Sequence, residues 1–224
     1  MTGHRRTGTA SAAAALLVVA AACGNGSDSP AADDAEPVSA ERCVVRLHGK
    51  GSGGATSTLD DDGIALISPD GNGTGWGGLQ WEYETEGDIT AAADIVAAAA
   101  DDANCERYVV HGFSNGAAMA GALLCSDVPL DDRISGVIID DPVTDSATEG
   151  CRDTEVEVAI YWTGALDEEA PPGTRCDSLD WTCDGDVVRG IDAYAADVGV
   201  EVTPSPFDEH RWYLDTPLPL MWLG

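Results

Sequence analysis

Basic residues are scarce in this sequence. Lysine and arginine together number 11 among 224 residues, against 40 aspartates and glutamates, which gives a formal net charge of -29. Lys50 is the only lysine. Because a nucleic-acid surface must neutralise phosphates with basic side chains, this balance excludes nucleic acid as a partner. Polyanionic substrates and anionic membrane surfaces are disfavoured for the same reason, and an acidic, soluble surface is the simplest interpretation.

A membrane-spanning run is also missing from the N-terminal region. The apolar run at residues 12–22 is too short to cross a bilayer, which takes about 20 residues. It follows Arg5 and Arg6 and precedes Cys23, an order typical of a bacterial export signal over residues 1–22. Small residues before Cys23 would suit an ordinary signal peptidase, but Cys23 itself resembles the lipid-modified cysteine of bacterial lipoproteins, which we favour. The lipid would anchor the protein at the outer face of the cytoplasmic membrane, its only membrane contact.

Large apolar side chains are few between the signal and the rest of the chain. Residues 24–41 are rich in Gly, Ser, Pro, Ala and acidic residues, and such a segment cannot bury enough apolar surface to fold. We therefore expect a flexible tether over residues 23–41. Residues 42–224 are then a single domain, long enough for a sizeable core.

The cysteine pattern lacks the pairs that would indicate a metal. No Cys-x-x-Cys pair occurs and the histidines do not accompany the cysteines, so we expect neither a metal nor an organic cofactor. Without Cys23 the number of cysteines is even, which suits disulfides in an exported protein, although six buried free thiols are the alternative. The six are Cys43, Cys105, Cys125, Cys151, Cys176 and Cys183.

Short β-branched runs alternate with helical stretches rich in small residues. This alternation predicts an α/β fold, a mostly parallel sheet of about six strands with helices on both faces. Apolar spacing indicates helices near residues 89–99, with Asp88 as the N-cap, and near residues 187–198. The stretch 51–63 is expected to be mostly loop. The predicted strands are Cys43–Leu47, Ile64–Ile67, Tyr108–His111, Gly136–Asp140, Val156–Trp162 and Val200–Thr203.

A nucleophile motif follows the third of these strands. Gly112-Phe113-Ser114-Asn115-Gly116 fits the G-x-S-x-G elbow, in which a strand turns sharply into a helix and presents a serine. The motif alone is weak, but a β-branched strand precedes it and a small-residue helix follows it. A serine hydroxyl is a poor nucleophile until a base accepts its proton. Ser114 therefore requires a histidine within reach.

Chain order selects the histidine and narrows the choice of acid. In this fold the order is Ser, then Asp or Glu, then His, and His210 is the only histidine after Ser114. A carboxylate on a loop after a strand should orient the imidazole. Asp167 follows a strongly apolar strand and is our preferred candidate. Asp140 and Asp141, which close the preceding strand, are the competitors.

The oxyanion of an acyl-transfer reaction needs backbone N–H donors. The segment "RLHGKGSGG", residues 46–54, is a strand that ends in His-Gly and further glycines, as in the HGGG-type loop of lipases and esterases. The expected donors are the amides of Asn115 and of either Lys50 or Gly51.

Taken together, these segments resemble the α/β-hydrolase superfamily. Within it they are most similar to secreted esterases grouped with polyhydroxybutyrate depolymerases and feruloyl esterases. Departures include Trp162, where that group usually has histidine, and Glu209, where it usually has glycine. The matching segments are "LHG" at 47–49, "SPDGNGTGW" at 68–76, "GFSNGAAMA" at 112–120, "TGALDEEAP" at 163–171 and "EHRW" at 209–212.

The resemblance implies the α/β-hydrolase fold without a large cap domain, a fairly open serine, and a triad of Ser114, Asp167 and His210. Trp76, Trp162 and Trp212 would line a substrate groove, although core packing is at least as common for tryptophan. The same topology would pair the cysteines as Cys43 with Cys105, Cys125 with Cys151 and Cys176 with Cys183.

The sequence therefore predicts an exported serine hydrolase that cleaves small-molecule or polymeric carboxylic esters through an acyl-enzyme intermediate. A serine peptidase with the same triad is one alternative. A non-catalytic lipoprotein that binds an envelope component on a hydrolase scaffold is another, because fold does not establish function.

Overall fold

The described candidate catalytic residues Ser114, Asp141 and His210 follow strands of one sheet. The structure is a computed structural model, and it describes residues 40–75, 77–143, 151, 155–165 and 191–224. Seven of the described strands form a sheet in the order β2-β3-β1-β6-β7-β8-β9, parallel throughout except for the β2–β3 pair. The strands of this sheet are β1 (Arg42–Leu47), β2 (Ala55–Leu59), β3 (Ala65–Ser68), β6 (Arg107–Phe113), β7 (Ile134–Asp140), β8 (Glu157–Trp162) and β9 (Val202–Pro204).

All six predicted strands are present within one or two residues of their predicted ends, and the predicted α/β class is confirmed. The expectation that residues 51–63 form mostly loop is wrong at its centre, because β2 lies there and pairs antiparallel with β3 at the edge of the sheet. Its sequence, Ala-Thr-Ser-Thr-Leu, is mostly exposed, so no apolar alternation identified it. A second, two-stranded sheet joins β4 (Gly73–Gly75) to β5 (Gly78–Gln80).

Four helices occur among the described residues: α1 (Glu86–Asp102), α2 (Asn115–Cys125), α3 (Ile191–Val198) and α4 (Leu218–Leu223). The predicted N-cap of α1 is wrong by one turn. Thr85 is the N-cap, and Asp88 is the third helical residue, which completes a capping box with Thr85. Aspartate serves in either position, so the sequence alone does not separate them.

Apolar side chains on both faces of the sheet form the core. The larger cluster packs α1 and α2 against one face, where Val45, Val110 and Ile139 are buried. The smaller cluster covers the opposite face with α4, where Val109 and Ile138 are buried. Strands buried on both sides explain why the sequence reads as continuous apolar runs rather than as alternation.

Two disulfides cross-link described elements. Cys43 of β1 bonds to Cys105, which lies just before β6, and Cys125 at the end of α2 bonds to Cys151. Both expected pairings are confirmed, and Cys176 and Cys183 lie outside the described residues. Disulfides form and persist in oxidising environments, which agrees with export. Cys23 lies outside the described residues as well.

The described residues include neither a membrane-spanning helix nor a metal-binding cluster. No helix among them has the length and apolarity to cross a membrane. Likewise, no group of three or more His, Cys, Asp or Glu side chains in that part of the chain could hold a metal ion.

The Cys43–Cys105 bond closes a long loop, with a sequence separation of 62, and the unfolded chain loses much conformational freedom through it. We predict that Cys43→Ala/Cys105→Ala lowers the free energy of unfolding by about 2–5 kcal/mol. Urea unfolding of the oxidised proteins measures the difference. The two-site variant should match the wild type in its β-sheet circular dichroism; an unchanged unfolding midpoint would contradict the prediction.

Candidate active site

The nucleophile motif forms the expected elbow between β6 and α2. Ser114 has φ 56° and ψ -117°, a strained conformation for a residue with a side chain, and α2 begins at the next residue. The two glycines of the motif are required by space. A Cβ on Gly112 would strike the carbonyl of Gly116, and a Cβ on Gly116 would strike the carbonyl of Leu47. The elbow is therefore pressed between β1 and its own helix, as a nucleophile elbow requires.

His210 is held by a buried carboxylate. Its Nδ1 lies 2.5 Å from Oδ2 of Asp141, and the exposed fractions are 9 % for His210 and 0 % for Asp141. An Nδ1–H that donates to a carboxylate fixes the tautomer in which Nε2 is the basic nitrogen. The imidazole is therefore in the state that a general base needs.

The Asp141 carboxylate is itself fixed by other donors. Its Oδ1 accepts from the backbone N–H of Thr163 at 3.1 Å, and the Thr163 hydroxyl lies 2.8 Å from both carboxylate oxygens. Asp141 also has a positive φ of 51°, one of three such non-glycine residues in the described part of the chain, and Ser114 is another. Strained backbone of this kind concentrates at functional sites.

The carboxylate bonded to His210 is therefore that of Asp141, in the loop after β7, and Asp141 is one of the two competitors to Asp167. Asp167 lies outside the described residues. The sequence signal for Asp141 was the acidic doublet that ends the apolar strand "VIID" and continues into the next loop. Two adjacent carboxylates at the end of a buried strand must both find hydrogen-bond donors in the protein, whereas carboxylates in a solvent-exposed loop have water.

A stack of aromatic rings connects His210 to the elbow. The Phe113 ring lies 4.6 Å from the His210 ring and 5.6 Å from the Trp212 ring, with interplanar angles of 27° and 14°. Phe113 directly precedes Ser114, so His210 packs against the residue next to the serine. Residues 96 positions apart in sequence are thereby brought into one site.

The residue after the serine anchors the elbow to another segment. Asn115 Oδ1 accepts from the backbone N–H of Trp81 at 2.6 Å, and its Nδ2 donates to the Trp81 carbonyl at 3.0 Å. This two-point contact fixes the Asn115 side chain and with it the start of α2. The backbone amide of Asn115, a predicted oxyanion donor, belongs to that same first turn.

The His-Gly loop after β1 lies directly beside the serine. A Cβ on Gly49 would stand 3.4 Å from the Ser114 Cβ. His48 holds this loop: its Nε2 accepts from the Gly71 N–H at 3.1 Å, so its Nδ1 carries the hydrogen and donates to the Gly49 carbonyl at 2.9 Å. Of the two predicted loop donors, Gly51 already donates its N–H to the Leu79 carbonyl at 2.9 Å. The role of the Lys50 amide stays a prediction.

Three other expectations need correction or qualification. Trp162 is only 8 % exposed and packs in the core, so it does not line a groove. Ser114 is 3 % exposed rather than open, because the glycine loop lies against it. Trp212 is half-buried and its indole N–H already donates to the protein, at 2.9 Å from His111 Nε2. Trp76 lies outside the described residues.

A second histidine and carboxylate lie next to the first pair. His111 on β6 is 1 % exposed, Asp140 at the end of β7 is 0 % exposed, and 3.3 Å separates His111 Nε2 from Asp140 Oδ2. Arg46 on β1 is the register partner of His111. Burial lowers the pKa of His111, with Asp140 opposing and Arg46 adding to the effect. The sequence predicted His111 only as the last residue of a strand.

Comparisons with known proteins find similar solved structures at low sequence identity. No protein-family model and no curated protein matches the chain. Among solved structures it is similar to an esterase from Thermogutta terrifontis (12 % identity, 85 % of this chain and 82 % of that chain, TM-score 0.48). It is also similar to a Bacillus cereus carboxylesterase (17 % identity, 80 % of this chain and 84 % of that chain, TM-score 0.45). A Mesorhizobium loti carboxylesterase is similar as well (18 % identity, 81 % of this chain and 86 % of that chain, TM-score 0.45).

The sheet order and the elbow are those of the α/β-hydrolase fold, which the sequence predicted. The site unites a strained serine, a histidine with a defined tautomer, a fully buried carboxylate and a glycine loop beside the serine. Nucleophilic acyl transfer uses this set of groups.

The lowered pKa of His111 predicts a pH-dependent contribution to stability. His111 in the unfolded chain takes up a proton below about pH 6.5, whereas the folded protein resists it. The contribution is therefore complete above pH 6.5 and is lost as the pH falls below that value, by at most about 1.4 kcal/mol per pH unit. Urea unfolding between pH 7.5 and pH 5 measures it.

Overall stability depends on pH through more than one group, so the comparison requires a variant that lacks only the His111 titration. His111→Gln is uncharged at every pH, and the wild type should lose stability relative to it as the pH falls. A wild-type minus variant difference that stays constant from pH 7.5 to pH 5 would contradict the prediction.

Proposed function

We propose that this protein is a serine hydrolase of carboxylic esters, with Ser114 as nucleophile, His210 as general base and Asp141 as the carboxylate that orients the imidazole. The observation that carries the proposal is the 2.5 Å contact between His210 Nδ1 and the buried Asp141 Oδ2, on a ring stacked beside the residue that precedes Ser114. Asp141 thus takes the role that the family resemblance gave to Asp167.

The reaction proceeds in two steps. His210 Nε2 accepts the Ser114 proton as Oγ attacks the ester carbonyl, and the protonated imidazole then gives that proton to the departing alcohol oxygen, which leaves an acyl-enzyme. Water then attacks the acyl carbonyl while His210 Nε2 accepts its proton. The imidazolium returns that proton to Ser114 Oγ as the acyl–oxygen bond breaks, which releases the acid and regenerates the serine. Asp141 stabilises the imidazolium that forms in each step, and its Thr163 donors keep it in place.

The backbone amides of Asn115 and Lys50 stabilise the oxyanion of the tetrahedral intermediate. Asn115 begins α2, where the helix N-terminus favours negative charge. Lys50 shares a peptide unit with the Gly49 carbonyl, which accepts from His48. In a trans peptide the N–H and the C=O point in opposite directions. The His48 contact that holds the Gly49 carbonyl therefore also sets the direction of the Lys50 N–H.

An ester is favoured over a peptide bond because nothing among the described residues forms an additional domain that would select peptides. The similar structures from Bacillus cereus, Mesorhizobium loti and Thermogutta terrifontis are described as carboxylesterases or an esterase, one of them with propionate bound. The substrate is therefore a small-molecule or polymeric ester. Cys23 lipidation would keep the enzyme at the outer face of the cytoplasmic membrane.

The identity of the acid gives a direct test of the triad. We predict that Asp141→Asn lowers kcat on p-nitrophenyl esters by about 10⁴-fold, because an amide cannot stabilise the imidazolium or hold the required tautomer. Ser114→Ala and His210→Ala should lose at least as much. Asp167→Asn is the matched control, since it makes the same change at the other candidate. Turnover of an ester series by the oxidised protein measures each.

The outcomes separate the competing functions. Loss in Asp167→Asn with retention in Asp141→Asn would refute Asp141 as the acid. A wild type that hydrolyses no ester and does not react with a fluorophosphonate at Ser114 would support a non-catalytic scaffold. A reactive serine that turns over amides faster than esters would support a peptidase.

The loop contact of His48 gives a second test. We predict that His48→Leu lowers kcat by about 10- to 100-fold with little change in KM, because the Lys50 N–H loses its direction while ground-state contacts remain. His48→Asn, whose side-chain amide can still donate near the Nδ1 position, should recover part of the loss. Equal KM and kcat effects in both variants would point to general damage of the loop instead.

A further inference from the structure

We propose that the buried pair His111 and Asp140 is a positioning device that holds the catalytic histidine by gripping the residues just after it. The inference rests on the proposed function, because it assigns a role relative to His210. Neither residue contacts the His210 ring in any described hydrogen bond or stacking contact. Their effect would pass through Trp212 and Tyr213, the second and third residues after His210.

Two hydrogen bonds form the grip. The Trp212 indole N–H donates to His111 Nε2 at 2.9 Å, and the Tyr213 backbone N–H donates to Asp140 Oδ2 at 2.6 Å. Consecutive residues of the C-terminal segment are thus bonded to the ends of two adjacent strands, β6 and β7. This segment has no strand or helix of its own between residues 205 and 217, so its position depends on contacts of this kind.

The protonation state of His111 follows from the donor that it accepts from. An indole N–H can only donate, so His111 Nε2 accepts and the ring carries its hydrogen on Nδ1. The 3.3 Å approach of Asp140 Oδ2 to the same nitrogen is then a close contact and not a hydrogen bond. A second proton on Nε2 would face the Trp212 N–H and break that bond. Asp140, Arg46 and the Trp212 indole are the charged or polar groups that face the ring from the neighbouring elements. The grip therefore requires neutral His111.

Packing of aromatic rings connects these two hydrogen bonds to His210. Trp212 stacks on one side of the Phe113 ring and His210 stacks on the Phe113 ring as well, while Trp212 meets His111 edge to face at 5.5 Å. A shift of the indole would thus loosen the packing that supports His210. His111 lies three residues before Ser114, and Asp140 directly precedes Asp141, so each gripping residue is also fixed to one part of the site.

A buried histidine bonded in the core is the simpler interpretation, and a double-mutant cycle separates the two. The variants are His111→Leu, His111→Gln, Trp212→Phe and His111→Leu/Trp212→Phe. His111→Gln keeps an acceptor near the Nε2 position, whereas His111→Leu removes it. Trp212→Phe keeps a smaller aromatic ring beside Phe113 and removes the N–H. Activity is expressed per site labelled by a fluorophosphonate, so unfolded protein does not count.

We expect His111→Leu and Trp212→Phe each to lower kcat by about 10- to 100-fold, with KM changed by less than about threefold. The kcat of the two-site variant should be no lower than that of the less active single variant, because both changes remove the same hydrogen bond. His111→Gln should recover most of the loss. The acid limb of the pH profile of kcat/KM should move in the variants that lose the bond, a change that loss of stability alone does not produce.

The indole N–H provides a readout that does not involve activity. Nuclear magnetic resonance of the wild type and of His111→Gln should show slow hydrogen exchange at the Trp212 indole, and His111→Leu should show fast exchange. Unchanged kcat per labelled site in His111→Leu, or multiplicative losses in the two-site variant, would overturn the inference while Ser114 remains reactive. A wild type that does not label at Ser114 would overturn the proposed function and the inference together.

Discussion

The structure depends on two adjacent carboxylates that are both fully buried at the end of one strand. Asp140 and Asp141 each need hydrogen-bond donors, because an ionised carboxylate without them is too costly to remove from water. Asp141 takes its donors from Thr163 after β8 and from His210, and Asp140 takes one from the backbone of Tyr213. The end of β7 therefore holds together the strand beside it and the C-terminal segment.

The same contacts set the chemical state of the site. The carboxylate that accepts from His210 Nδ1 leaves the lone pair on Nε2, and His111 Nε2 accepts from Trp212. Two histidine–carboxylate pairs thus lie side by side with different proposed tasks. In the proposed mechanism the Asp141 carboxylate stabilises the imidazolium, whereas burial lowers the pKa of His111 and so favours the ring form that accepts from Trp212.

Local sequence patterns predicted the fold and the elbow at Ser114 well. The apolar runs located six strands, because strands buried on both faces leave a clear signal, and the G-x-S-x-G motif located Ser114, because close packing at Gly112 and Gly116 tolerates no side chain. The exposed edge strand β2 left no such signal. Chain order isolated His210 but could not choose the acid, since several carboxylates follow the serine. That choice depends on which loop reaches the imidazole, a long-range property.

Disulfide chemistry and the proposed catalysis meet on one pair of strands. The Cys43–Cys105 bond joins the amino-terminal ends of β1 and β6, and the parallel register continues to the opposite end, where Leu47 lies beside Gly112. Beyond that end, β1 leads into the His48 and Gly49 loop, and β6 leads into Ser114. The His48–Gly49 loop and Ser114 therefore take their relative position from a strand pair that is covalently fixed at its far end. Because disulfides persist in oxidising environments, such an environment and the position of these two segments are physically connected in this protein.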